Sequence, residues 1–300
     1  MIFFSKRIRM IALRSVSEKN WFELQKKVQQ RKIAEAFELL RGENIEPILI
    51  KGWAIARLYP PEKLRPFGDI DLCIEPKLFS RAQKLLETEK AMRLNIDLHC
   101  GLRHLDTVEW SDLFENSKLI KIEGQTIRVL REEDHLRVLC VHWLTDGGVD
   151  KEKLWDIYYV FKTDLETFDW DRCLSTVSER RRRWIICTIG LAEKYLSISL
   201  VGTPFESENI DVPKWLIKAV EKEWQNGIRL EPLHSFLSGR KGFFQQIRKR
   251  FPPNPLQSTI GVEGSFDSQT RVFYQFKDVF MRTIQSLKWA KTILLRGIRG

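Results

Sequence analysis

The chain has 300 residues, an ordinary apolar fraction of 43% and a formal net charge of +10. This length predicts one large or two ordinary domains, and the charge favours an anionic partner such as nucleotide phosphates, nucleic acid or a membrane surface. No apolar run approaches the ~20 residues of a membrane-spanning helix, so we expect a cytoplasmic protein. The five cysteines show no CxxC spacing, which argues against a zinc site and a disulfide framework.

Helical and extended patterns alternate through the first 130 residues. Apolar spacing predicts a long amphipathic helix that Ser17 caps, followed by short strands and helices that Gly and Pro residues delimit. The predicted elements are a helix at 17–40, a strand at 46–50, a helix at 52–59, a strand at 69–74, a helix at 77–88, a strand at 94–102 and a hairpin at 119–130.

Beyond residue 130 the pattern is helical only. We expect a loop at 252–264, where prolines and glycines are frequent. The predicted helices lie at 132–144, 155–162, 183–200, 213–226 and 269–295. The sequence therefore predicts an α+β chain, in which a mixed domain at residues 1–130 precedes an all-helical domain at residues 131–300.

Two carboxylates stand out because they lie at i and i+2 at the start of an apolar strand, Asp69-Ile70-Asp71-Leu72. Side chains two apart on a strand share a face, so Asp69 and Asp71 are expected to project together. Asp97 lies in a similar strand and would join them if the two strands are neighbours. Three such carboxylates suit two Mg²⁺ ions, the arrangement used for in-line phosphoryl displacement.

A glycine precedes this pair where a strand turns into a helix, at Lys51-Gly52. A glycine at this position lets a phosphate approach the backbone. Lys51 is expected either to contact phosphate or only to flank the strand end. Arg65 precedes Asp69 by four residues and is interpreted as a phosphate ligand or a surface arginine.

These motifs resemble the polymerase-β-like nucleotidyltransferase superfamily, and most closely a family of bacterial uncharacterised nucleotidyltransferases. The resemblance covers roughly residues 20–165. It rests on Ile50-Lys51-Gly52, Leu64-Arg65-Pro66-Phe67-Gly68-Asp69-Ile70-Asp71-Leu72, Ile96-Asp97-Leu98-His99, and the helical stretch from Leu130 to Ile157.

The resemblance implies a polymerase-β-like core with a small mixed sheet, and transfer of a nucleotidyl group from an NTP such as ATP. Asp69, Asp71 and Asp97 would bind Mg²⁺, or Mn²⁺ as an alternative ion, and carry catalysis. The nucleotide-binding residues would be Lys51, Gly52, Arg65 and Gly68. From its position, His99 shares the face of Asp97 and is expected either to contact the substrate or only to pack, while Arg103 lies in the next loop, where an acceptor could be gripped. The acceptor would be a hydroxyl or phosphate on a small molecule, a peptide or a protein, and nucleic acid is not the favoured partner.

Three alternatives remain at this stage. Trp53 replaces the small residue that usually follows the glycine, so the chain is alternatively an inactive nucleotide-binding or scaffolding relative. Arg137 and His142 have a spacing that occurs in helical ribonuclease-type domains, although their apolar surroundings favour core packing. The basic C-terminal helix is interpreted as a solvated face or as a patch that contacts an anionic surface.

Overall fold

The computed structural model describes residues 2–63, 65–101, 108–163, 165–207, 209–227 and 240–297. Side chains are described from residue 20, except at 240–243 and beyond residue 284. The chain divides into two compact units, Met1–His135 and Leu136–Gly300. The first unit contains strands and helices, and the described part of the second contains helices only, so the predicted α+β class is confirmed.

A mixed five-stranded sheet organises the first unit, in the order β3-β2-β1-β5-β4. Strand β2 pairs in parallel with β3 and antiparallel with β1, while β5 pairs in parallel with β1 and antiparallel with β4. The strands are β1 (Ile48–Leu49), β2 (Ile70–Ile74), β3 (Ile96–Cys100), β4 (Lys118–Ile122) and β5 (Gln125–Val129).

The predicted hairpin is confirmed, because β4 and β5 are joined by Glu123 and Gly124. Both residues have positive φ, 48° and 78°, as a two-residue turn matching the strand twist requires.

The described residues of the first unit form five α-helices before Glu132, and the longest of them supplies much of the core. Ile33, Phe37 and Leu40 of the long helix are fully buried and belong to one cluster with Ile70 and Leu72 of β2. The helices are α1 (Ile2–Arg41), α2 (Gly52–Ala56), α3 (Phe79–Leu86), α4 (Glu89–Met92) and α5 (Trp110–Glu115). Helix α1 begins well before the predicted start at Ser17, and α5 was not predicted.

The described elements of the second unit are helical. Helix α6 (Glu132–Thr145) begins in the first unit and continues into the second, which contains α7 (Leu154–Val160), α8 (Trp170–Ser175), α9 (Glu179–Leu196), α10 (Lys214–Asn226), α11 (Arg240–Arg250), α12 (Pro255–Gly261) and α13 (Val272–Gly297). None of the helices, over the residues described, is long and apolar enough to cross a membrane.

The predicted loop at 252–264 is wrong, because it contains helix α12. The Asn254 side chain accepts hydrogen bonds from the backbone N–H groups of Leu256 and Gln257, at 2.8 and 3.0 Å. Pro255 occupies the first helical position, where its missing N–H costs no hydrogen bond. The prolines and glycines therefore bound a short helix instead of excluding one.

Candidate functional site

Two carboxylates meet on the paired strands β2 and β3. Asp71 and Asp97 are direct partners in the parallel register, so their side chains emerge on the same face of the sheet. The apolar residues Ile70, Leu72 and Ile74 hold β2 in the core, and all are fully buried. Asp71 is only 6% exposed, whereas the Asp97 side chain is 53% exposed. The pair therefore connects the protein interior to solvent.

His99 lies two residues after Asp97 on the same face of β3. Its Nε2 atom lies 3.1 Å from Asp71 Oδ1 and 3.2 Å from Asp97 Oδ2. One ligand atom from each of these three residues lies within 4.8 Å of the other two. The imidazole thus bridges the two carboxylates.

Lys51 neutralises the buried carboxylate. Its Nζ atom lies 2.6 Å from Asp71 Oδ1, and the two side chains are 10% and 8% exposed. Burial alone would raise the pKa of Asp71, but the hydrogen bond from His99 and the charge of Lys51 outweigh it and lower that pKa. Asp71 is therefore held as an anion inside the protein.

The turn that carries Lys51 is unusual in its backbone. Lys51 and Gly52 both have positive φ, 49° and 36°, a conformation that side chains disfavour and glycine tolerates. A Cβ atom at Gly52 would lie 3.4 Å from Asp71 Oδ2, so the missing side chain also leaves this carboxylate oxygen open. The glycine is required by conformation and keeps the space beside Asp71 accessible.

A buried histidine supports this turn. His135 Nε2 accepts a hydrogen bond from the Lys51 backbone N–H, at 3.1 Å. Desolvation lowers the pKa of His135 to about 3, so the ring is neutral at physiological pH and Nε2 is free to accept. The carbonyl of Asp71 in turn accepts from the Ile50 N–H at 3.0 Å, which ties the turn to β2.

Asp69 and Arg65 lie in the segment that leads into β2. Asp69 precedes β2, is exposed, and does not belong to the group of potential ligands among the described residues. Its carbonyl accepts a hydrogen bond from Gln29 Nε2 at 3.2 Å. Arg65 donates to the carbonyl of Gly52 at 3.0 Å, which places its guanidinium beside the turn.

Two further predicted residues are less informative. Gly68 is exposed, and a Cβ atom there would meet nothing within 4 Å, so no steric requirement for glycine exists at this position. Arg103 lies outside the described residues.

Sequence reasoning missed two residues that fix the site, Gln29 and His135. Gln29 lies on an amphipathic helix and carries no local signal. His135 follows three consecutive acidic residues, Glu132, Glu133 and Asp134, at the start of a helix, and nothing in that run indicates a contact with Lys51.

The ribonuclease alternative requires Arg137 and His142 to act together, and the structure separates their contacts. Arg137 is fully buried and donates to the carbonyl of Arg172 at 2.9 Å. His142 Nε2 lies 3.5 Å from Oδ2 of Asp146, the residue that follows the end of α6. The predicted core packing of Arg137 is confirmed, which removes its guanidinium from any exposed site.

Trp53 also lies in the interior. It is 7% exposed and belongs to the same hydrophobic cluster as Phe37 and Leu72. Its side chain therefore contributes to the core of the first unit.

A sequence model of a family described as uncharacterised nucleotidyltransferases matches residues 12–196, which is more than half of the chain. The chain belongs to this family. The matched range includes all five strands, the Asp71–Asp97–His99 cluster and the Lys51–Gly52 turn. No curated protein and no solved structure shows significant similarity to the chain.

Proposed function

We propose that the protein is a Mg²⁺-dependent enzyme that moves a nucleotidyl group from an NTP to a hydroxyl or phosphate acceptor. The observation that carries this proposal is the pairing of Asp71 and Asp97 in register beside the open turn at Gly52. Family membership supports the same reaction class.

The side chains at the cluster fit a divalent cation. Asp71 and Asp97 supply carboxylate oxygens, which hard cations prefer, and His99 adds an imidazole nitrogen that also suits Mn²⁺. Asp69 is proposed as a further carboxylate at the exposed entrance of the site. Bound Mg²⁺ would neutralise the triphosphate and the charge that develops at the α-phosphate.

The protein's own cations are proposed to hold the substrate. Lys51 precedes Gly52 and Arg65 donates to the Gly52 carbonyl, and no Cβ atom obstructs an approaching phosphate at this glycine. Arg65 offers a planar guanidinium that matches phosphate oxygens in pairs. Gly68 is proposed to let the nucleotide pass close to the backbone in the segment that leads to Asp69.

Proton transfer is assigned to the exposed end of the cluster. Asp97 is the more accessible carboxylate, so an acceptor hydroxyl reaches it from solvent and transfers its proton there. His99 is proposed to orient both carboxylates and to contact the acceptor. Arg103 keeps its predicted role near the acceptor as a hypothesis.

A direct test uses NTPs labelled at the α-phosphate, Mg²⁺ and a cell extract that supplies acceptors. We expect label transfer by the wild type and its loss in Asp71→Asn and Asp97→Asn. Asp171→Asn is the matched control, because Asp169-Trp170-Asp171 repeats the same pattern outside the site.

Two results would contradict the proposal. Transfer that persists in both site variants would remove the carboxylates from catalysis. Nucleotide binding without pyrophosphate release in any extract would support the alternative of an inactive nucleotide-binding relative.

A further inference from the structure

Helix α13 exposes an aromatic stripe. Phe273, Phe276 and Phe280 are 76%, 72% and 65% exposed, and their spacing places them on one face of the helix. Exposed apolar patches of this kind mark interaction surfaces in soluble proteins. The stripe of Phe273, Phe276 and Phe280 therefore requires an occupant.

Polar contacts fix the opposite face of α13 against the rest of its unit. Asp278 Oδ2 accepts from Ser258 Oγ on α12 at 2.9 Å, and Gln275 Nε2 donates to the Pro253 carbonyl at 2.6 Å. The Tyr274 hydroxyl accepts from the Ser265 N–H at 3.1 Å. These hydrogen bonds determine the rotation of the helix, and with it the outward direction of the phenylalanine stripe.

The charge of α13 is strongly one-sided. Its only acid, Asp278, is 5% exposed and is bound by Ser258 and by Arg282 at 2.8 Å. Lys277 lies exposed beside Phe276. The basic residues of the helix are Lys277, Arg282, Lys288, Lys291 and Arg296. Among the described side chains of α13, Lys277 is the cation next to the phenylalanines, because Arg282 is paired with Asp278, and no exposed carboxylate accompanies them.

This combination selects one kind of occupant. A second copy of the chain would bring two basic helices together, and like charges repel. An anionic phospholipid surface neutralises the cations and accepts the phenyl rings at the depth of its headgroups. A basic amphipathic helix is suited to lie in the interface of such a bilayer.

We propose that α13 binds the surface of an anionic phospholipid membrane through Phe273, Phe276 and Phe280. The cations of the helix supply the attraction, and the rings supply the apolar contact. This inference goes beyond the proposed nucleotidyl transfer and does not depend on it.

The test is sedimentation of the full chain with vesicles of mixed phosphatidylglycerol and phosphatidylcholine. We expect binding to these vesicles, little binding to pure phosphatidylcholine, and weakening as salt is raised. No binding to the anionic vesicles, or equal binding to both kinds, would overturn the proposal.

A triple variant tests the stripe itself. Phe273→Ser, Phe276→Ser and Phe280→Ser together are expected to reduce vesicle partitioning roughly tenfold or more, because three exposed rings are removed. The matched control is Met92→Ser, Leu119→Ser and Val201→Ser, which removes three other apolar side chains that are 64%, 58% and 68% exposed. Equal partitioning of the two triple variants would contradict the assignment.

Two measurements separate the remaining outcomes. Circular dichroism verifies that the triple variant is folded, and Phe276→Ser alone replaces it if it is not. Light scattering gives the mass in solution with and without the substitutions. If the wild type is a dimer that the substitutions dissociate, and vesicles are not bound, the stripe is a contact between copies and the membrane proposal is wrong.

Discussion

Two segments of the chain share the pattern Asp-x-Asp and have different surroundings. In 69–71 the second carboxylate enters a buried strand and meets Asp97, His99 and Lys51. In 169–171 the first carboxylate accepts a hydrogen bond from the Arg172 N–H at 2.8 Å and caps helix α8, while the second is exposed. The same pattern of residues thus contributes Asp71 to a buried cluster in the first segment and Asp169 to a helix end in the second. The difference arises because only the first segment continues into an apolar strand.

Neutralising one carboxylate in each segment tests directly whether the two segments differ in function. We expect Asp71→Asn to reduce nucleotidyl transfer at least ~10³-fold, since a buried charge at the reacting centre is lost. The same change leaves Lys51 buried without its anion and is expected to cost about 3 kcal/mol of unfolding free energy. Transfer assays and urea unfolding measure the two effects.

Asp171→Asn is the control for that experiment. It is expected to change unfolding free energy by less than about 0.5 kcal/mol and to leave transfer unchanged, because this carboxylate is exposed. Similar losses in Asp71→Asn and Asp171→Asn would remove the distinction between the segments.

A change of pH is a second way to distinguish the two segments. The turn that is hydrogen-bonded to Asp71 is supported by a buried neutral histidine, His135. The pKa of His135 falls from 6.5 to about 3 on folding, so between these values the unfolded state binds the extra proton. The contribution of neutral His135 to the free energy of unfolding is therefore fully present above pH 6.5. It is lost as the pH falls toward 3, at up to about 1.4 kcal/mol per pH unit.

The variant that isolates this contribution is His135→Gln, whose side-chain oxygen still accepts from the Lys51 N–H. We expect urea unfolding of this variant to depend less on pH between 6 and about 4.5 than that of the wild type. Asp71 does not interfere there, because its lowered pKa places its own loss of stability below the ordinary value of 3.8. Identical pH profiles would show that His135 is not the titrating group.

Lys51 also distinguishes the first segment from the second, since it is paired with Asp71 Oδ1 and competes with any metal for that atom. We expect Lys51→Met to bind Mn²⁺ roughly tenfold more tightly and the NTP more weakly, because the competing ammonium is gone. Calorimetry measures both affinities. Lys121→Met, at an exposed position of β4, controls for the change in net charge, and weaker Mn²⁺ binding by Lys51→Met would contradict the prediction.

Substitutions of the first carboxylate in each segment are expected to have smaller effects, on stability in the second segment and on nucleotidyl transfer in the first. Asp169→Ala removes the cap of α8 and is expected to cost about 1 kcal/mol while transfer is retained. Asp69→Ala removes an exposed carboxylate and is expected to reduce transfer without a comparable loss of stability. Denaturation and transfer assays on both variants test this prediction. It is contradicted if the two variants lose stability and activity to the same extent.

Much of the cluster was accessible from the sequence. The apolar residues around Asp71 and Asp97 predicted two strands, and the spacing from Asp97 to His99 predicted a shared face. The pairing of the two strands in parallel register is a long-range property that the sequence does not determine. The expected meeting of Asp71 and Asp97 therefore depended on the two strands being neighbours. The ion pair of Lys51 and the hydrogen bond of His135 were beyond reach, because both depend on how separate elements pack.

The errors in element boundaries have physical causes. The start of α1 was missed because Ser17 was interpreted as an N-cap, whereas the backbone is helical from Ile2. Helix α12 was missed because Pro255 and Gly261 were interpreted as breakers, whereas they occupy its first and last positions. Asp69 was assigned to the strand that in fact begins at Ile70.

The direct pairing of Asp71 with Asp97 has a consequence for variation in chain length. Because their spacing is set by a hydrogen-bonded ladder, residues gained or lost in the connection at 75–95 can be absorbed there without disturbing the carboxylates. A single residue inserted within β3 between Ile96 and Asp97 would instead turn Asp97 to the opposite side of the sheet. Natural insertions and deletions are therefore expected in the connecting segment and excluded from the strand.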